Sequence, residues 1–203
     1  MTFSRELIDL TLEHLLLVGA TMLIAGAVGL PSGILVTRRP SFRRWVLGFA
    51  NVIQTVPSLA LFGFLIPVPF IGGIGAHTAI IALVLYALLP ILCNTVTGIL
   101  AVEPSVRDSA VALGMTDRQV LWQVELPLAA PTILAGVRIA TVATIGTATI
   151  AAAIGAGGLG VLIFRGLATV DSGLLLSGAI PAALMALSAD RVLEWLEQVY
   201  APA

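Results

Sequence analysis

The chain has 203 residues, 59% hydrophobic and 10% charged, with a mean hydropathy of +1.08, well outside the averages of a soluble domain. Intrinsic disorder is excluded by the apolar content, and a disulfide scaffold by Cys93 being the sole cysteine. All ten basic residues are Arg, so no P-loop with its obligatory Lys is present, and a net charge of −1 argues against a nucleic-acid footprint.

A helix needs about 20 apolar residues to cross a hydrocarbon core of roughly 30 Å. Five runs meet that length: residues 15–36, 45–67, 74–101, about 131–154 and about 174–189. Only the fourth holds a charge, Arg138, close enough to its start for the side chain to snorkel to the interface. No connection between runs is long enough for an independent domain, so residues 1–203 read as one all-α integral membrane domain.

The positive-inside rule sets the orientation. Arg38, Arg39, Arg43 and Arg44 lie between the first two spans and make that loop cytoplasmic, whereas Glu6, Asp9 and Glu13 outnumber Arg5 before span one. Alternation then places the N-terminus outside, residues 102–130 inside with Arg107 and Arg118, residues 155–173 outside, and the C-terminus inside with Arg191. The first span is too long, and its flank too acidic, for a cleaved signal peptide.

The longest polar stretch falls between spans three and four. Ser105 with Asp108 has the capping-box spacing, and Gly114 is placed to end that helix. Thr116 with Gln119 is a second box, opening a helix through Val124 that Pro127 stops. Helix, turn, helix is also the outline of a DNA reader. Two Arg against Glu103, Asp108, Asp117 and Glu125 lack the cationic excess that phosphates demand, and both ends are tethered to membrane. Trp122 is either a docking anchor or the piece that packs this hairpin on the bundle.

Within the spans, fourteen of the eighteen residues 141–158 are Gly, Ala or Thr, a composition for close backbone approach that puts span four at the centre. Each of the other spans holds a proline: Pro31, Pro57, Pro90 and Pro181. Asn51, Gln54, Asn94 and Thr95 are uncharged polar groups at span depth; they either line a pathway for a polar solute or hydrogen-bond between helices. Gly155, Gly157 and Gly160 satisfy G-x-G-x-x-G but follow a membrane helix rather than a strand, so they read as a tight turn and not as a dinucleotide site. Phe164, Arg165 and Asp171 follow in the same connection, available to an external partner. His14, His77 and Cys93 form no metal set, and no catalytic constellation is present in the sequence.

Asp108-Ser109-Ala110, Gly114 three residues later, and Val124-Glu125-Leu126-Pro127 after nine more resemble the EAA signature of ABC importer permeases (E-A-A, three residues, G, nine residues, I-x-L-P). Asp108 replaces the usual Glu and Ser109 the usual Ala. The resemblance implies a MetI-like, binding-protein-dependent permease whose loop 103–127 is the cytoplasmic coupling hairpin. In that family Asp108, Ser109, Ala110, Gly114, Val124, Leu126 and Pro127 would dock on the ATPase. It implies as partners an ABC ATPase that uses the ATP and Mg, an extracytoplasmic substrate-binding protein and a second permease subunit, identical or a sister chain, all in the cytoplasmic (inner) membrane. This chain itself would carry no cofactor and no enzymatic activity.

Gln54-Thr55-Val56-Pro57-Ser58, Tyr86-Ala87-Leu88-Leu89-Pro90, Asn94-Thr95, the run 149–160 and Gly178-Ala179-Ile180-Pro181-Ala182 look like the osmoprotectant branch, which imports glycine betaine, choline, carnitine or proline betaine. Cys93 stands where relatives more often carry Arg. Twelve scattered aromatic residues build no cage for a quaternary ammonium, which assigns recognition to the binding protein. An importer of another small solute such as methionine is the alternative within the family. An ion-coupled secondary transporter is the alternative class, opposed by the absence of mid-span carboxylates.

Overall fold

The computed structural model describes residues 3–200. Among them the chain is helical and joined by short turns: α1 (Phe3–Thr37), α2 (Pro40–Thr55), α3 (Ser58–Leu65), α4 (Ala76–Leu100), α5 (Pro104–Ala112), α6 (Asp117–Val120), α7 (Leu126–Ala151), α8 (Gly160–Thr169) and α9 (Ser172–Val199). Four helical stretches are long and apolar enough to cross a membrane, and a fifth crossing exists if α2 and α3 count as one bent span.

The first apolar run fills the C-terminal part of α1, which begins twelve residues earlier because Glu6, Leu7, Leu10, Leu12 and Glu13 are good helix formers that carry the helix on. Span two is not one straight helix. Pro57 has no N–H to continue α2 and holds Val56 extended, so α3 departs at 101°. Tyr86 on α4 donates its hydroxyl to the Val56 carbonyl released at the break, and Gln54 Nε2 donates to the Tyr86 carbonyl at 3.1 Å. Span three is α4, and Pro90 lies inside it.

The expected stop at Pro127 does not occur. A π-turn, Leu121–Glu125, joins α6 to α7: the Leu126 N–H reaches back five residues to the Leu121 carbonyl, and Pro127 sits in the first turn of α7, where a missing N–H costs nothing. The stretch Asp117–Ile154 is thus continuous over 38 residues. At about 1.5 Å per residue it is far longer than the bilayer core, so its first part stands outside the membrane. The helix passes the expected start of span four near residue 131 without a break.

The small-residue stretch of α7 is central as expected: α7 packs against α1, α3, α4, α8 and α9, with Ala140, Ala148 and Ala151 fully buried. At its far end Leu17, Phe62, Leu83 and Ile145 close an apolar core with Ala156. Gly155, Gly157 and Gly158 take left-handed φ in the turn after α7. The connection is more than a tight turn, because α8 follows it and lies along α9.

Span five extends ten residues past the apolar run as α9, capped by Asp171, whose Oδ1 accepts from Gly173 N and Leu174 N at 2.9 and 3.1 Å. That extension changes the environment expected for Arg138. It does not snorkel alone but faces Glu197 at 3.4 Å and Asp190 and Glu194 at 3.9 Å on α9. Such long, partly exposed pairs are each worth under about 1 kcal/mol, so apolar packing and not charge holds α9 to α7.

Candidate functional site

The hairpin between α4 and α7 departs from its expected caps at one end and keeps them at the other. Ser105 caps nothing: Pro104 takes the first helical position, Glu103 precedes it without a side-chain cap, and Ser109 Oγ donates to the Ser105 carbonyl at 2.7 Å. The second box forms. Gln119 N donates to Thr116 Oγ1 at 3.4 Å and Thr116 N to Gln119 Oε1 at 2.8 Å.

Between them Gly114 has φ +83°. Its N–H donates to Val111 O at 2.9 Å and the Met115 N–H to Ala110 O at 3.2 Å, the two bonds of a Schellman motif that closes α5. No atom lies within 4 Å of where a Gly114 side chain would start, so only the backbone angle demands glycine.

The signature residues sort by exposure. Asp108, Ser109 and Gly114 are exposed on the free side of the hairpin, and Ala110 is buried beneath them. Val124 and Leu126 are half-buried on the π-turn and the start of α7, and Pro127 is exposed. Leu113 at the tip is 83% exposed and Val111 55%, an apolar face on an otherwise polar loop. Trp122 is 60% exposed and forms one wall of a cavity of about 860 Å³ with Leu30, Ile34, Thr95 and Ile133. Its position therefore serves neither role to the exclusion of the other.

Glu125, which the sequence left as the unspecified position of the signature, is buried completely. Arg38 Nη2 donates to its Oε2, and Arg107 Nε lies 2.7 Å from its Oε1. The signal available in the sequence was a carboxylate between apolar neighbours at the start of a span, opposite an arginine-rich loop.

The four polar residues at span depth are not brought together. Asn51 and Gln54 are exposed on α2. Asn94 donates to the Pro90 carbonyl at 2.8 Å and lies where α7 comes closest: a methyl at Gly136 would stand 2.5 Å from Asn94 Cβ. Thr95 is buried against Gly33 of α1, where a methyl would stand 2.7 Å from its Cβ.

At the opposite end of the bundle, Glu13 Oε2 accepts from the Gly158 N–H at 2.9 Å and Arg165 pairs with Glu6 at 2.8 Å. His14 is buried and its Nε2 donates to the Ile145 carbonyl at 3.2 Å. The acidic start of α1 is thereby tied to the glycine turn and α8, while the arginine-rich loop after α1 is tied to the hairpin. No strand precedes the glycine run, so a dinucleotide fold is absent among the described residues.

The fold is thus a bundle of helices long and apolar enough to cross a membrane, with an exposed, apolar-faced hairpin at one end. Residues 28–201 match the family described as binding-protein-dependent transport system inner membrane component, and the chain belongs to that family. It is 47% identical over 191 residues to the glycine betaine/carnitine/choline transport system permease protein OpuCD of Bacillus subtilis, covering 94% of this chain and 82% of that one. It is 42% identical over 198 residues to the osmoprotectant import permease protein OsmW of Salmonella typhimurium, covering 97% and 92%. A chain of the MetNI methionine ABC transporter in an inward-facing conformation superposes with a TM-score of 0.88 over 100% of both chains at 21% identity, a likeness of fold.

Proposed function

We propose that this chain is the permease subunit of an ATP-driven, binding-protein-dependent importer of quaternary-amine osmoprotectants: glycine betaine, choline, carnitine or proline betaine. The observation that carries the substrate class is 41–47% identity, over nearly the whole chain, to permeases named for glycine betaine, carnitine and choline. The chain is a five-span domain in the bacterial cytoplasmic membrane, with α2 and α3 as one bent crossing, the start of α1 outside and the hairpin inside. The clustering of Arg38, Arg39, Arg43 and Arg44 at the hairpin end, and of Glu6, Asp9 and Glu13 at the other, supports that orientation.

In this reading Asp108, Ser109, Ala110, Gly114, Val124, Leu126 and Pro127 form the element that docks on the ATPase, with Leu113 and Val111 as its apolar contacts. The ATPase uses the ATP and Mg; this chain supplies the conduit. Two permease subunits, identical or sister chains, would enclose the pathway, and Asn51 and Gln54 on the exposed face of α2 would line it, together with Asn94 and Thr95 from the separate crossings of α4 with α7 and α1. Substrate recognition belongs to the extracytoplasmic binding protein.

ATPase stimulation in reconstituted vesicles tests the proposal. Stimulation by binding protein loaded with glycine betaine or choline is the expected result. Stimulation by methionine alone would keep the permease and replace the substrate class, and no association with an ATPase would return the chain to ion-coupled transport.

A further inference from the structure

Glu125 is the only Asp or Glu among the described residues that is fully buried. Its Oε2 accepts from Arg38, in the turn that ends α1, and its Oε1 faces Arg107 Nε of α5 at 2.7 Å. Arg107 also donates through Nη2 to the Ile99 carbonyl in the last turn of α4, at 3.4 Å. Four elements therefore converge on one carboxylate: the ends of α1 and α4, the first helix of the hairpin, and the π-turn that leads into α7.

A buried carboxylate is tolerated only when it is paired, and two guanidinium groups share this neighbourhood only because the carboxylate stands between them. The rest of α5 has little else to hold it, for Ala110 is its one buried residue. The π-turn that bears Glu125 is a soft point in the helix, since its backbone bonds are out of step with those on either side. A displacement applied to residues 108–114 would flex that turn unless something braced it.

We propose that Glu125 is the positioning residue of the coupling step. The Arg38–Glu125–Arg107 triad fastens the hairpin to the end of α1 and the start of α7, so that movement imposed by the ATPase turns the spans and is not absorbed by bending at the π-turn. The proposal rests on the hairpin being the ATPase-docking element. Glu125 touches neither substrate nor ATP, and its role is read in the ratio of uptake to hydrolysis.

The test uses the full complex of permease, ATPase and binding protein in vesicles, with radiolabelled glycine betaine and choline as probes and ATP hydrolysis measured in parallel. Glu125→Gln is expected to assemble with its ATPase and hydrolyse ATP while uptake per ATP falls about tenfold. Glu125→Asp, which keeps the charge, is expected to retain most of the coupling. Arg107→Gln is expected to lower the same ratio, and the Arg107→Gln/Glu125→Gln double variant to be no worse than Glu125→Gln alone. Where Glu125→Gln does not copurify with the ATPase, Arg107→Gln reads the same contact from a partly exposed side chain. Normal coupling in these variants beside a normally coupled wild type overturns this proposal alone. A wild-type complex in which no ATPase associates with the permease overturns the docking reading, and the triad with it.

Discussion

At Gly114 the requirement for glycine is a matter of one dihedral angle. Open space surrounds the position, so a substitution is charged only for φ +83°, about 1–2 kcal/mol for an ordinary L residue and less for Asn. Uptake per ATP should fall in the order Gly, Asn, Ala, Val at this position, and Gly114→Asp, which tolerates the angle about as well as Asn, should insert normally yet uncouple hydrolysis from transport through the negative charge it adds beside the exposed Leu113 and Val111. Equal coupling for Gly114→Asn and Gly114→Val would show that the turn is not what the ATPase reads. Gly136 is the opposite case, with ordinary helical φ but no space. A methyl there meets Asn94 Cβ at 2.5 Å and the Pro90 carbonyl at 2.8 Å, so Gly136→Ala must push α4 from α7, costing about 1–3 kcal/mol and lowering the melting temperature in detergent by several degrees.

The break between α2 and α3 shows what one side chain contributes to the shape of an element. Pro57 holds Val56 extended, which turns the Val56 carbonyl out of the helical ladder, and the Tyr86 hydroxyl takes it up. Tyr86→Phe keeps the ring and removes the donor, leaving a carbonyl unpaired at span depth. The expected loss is about 1–3 kcal/mol, seen as a lower melting temperature in detergent, and an unchanged value would mean that Pro57 and packing alone set the bend. Pro57 was visible in the sequence as a point where a helix can turn; its 101° angle was not, because what α3 packs against after the turn, α4 and α7, and what meets the Val56 carbonyl, Tyr86, are distant in sequence. The same distinction separates the two caps of the hairpin. Thr116 and Gln119 satisfy each other locally, whereas Ser105 lost its predicted role to its neighbour Pro104, which starts the helix two residues earlier than a Ser105 cap would. Glu125 escaped notice for the reason that makes it informative: its partners are 87 and 18 residues away, and no local pattern marks them.

For the whole molecule, hydropathy located the four helices long and apolar enough to cross a membrane because lipid imposes length directly, while the ends of α1, α7 and α9 overran the apolar runs because helices continue in water wherever helix-forming residues continue. Charge asymmetry should fix the sidedness in the same direct way. The arginine-rich loop and the hairpin share one end through Arg38 and Glu125, and the acidic start of α1 shares the other with Gly158 and Arg165. The two ends cannot be assigned independently: whatever side holds one hairpin residue holds the whole arginine loop. The C-terminus at Ala203, expected inside, lies outside the described residues, so a reporter fused there tests the alternation of spans separately from these contacts. That reporter should read cytoplasmic. In a Cys93→Ser background, Asp117→Cys should react with a membrane-impermeant maleimide only after the cells are opened, and Val170→Cys, exposed in the turn between α8 and α9, should react in intact spheroplasts. Reaction of both residues from the same side would mean that α7 does not cross the membrane. The reverse pattern would keep every contact in the bundle and invert the protein, placing the hairpin out of reach of any ATPase.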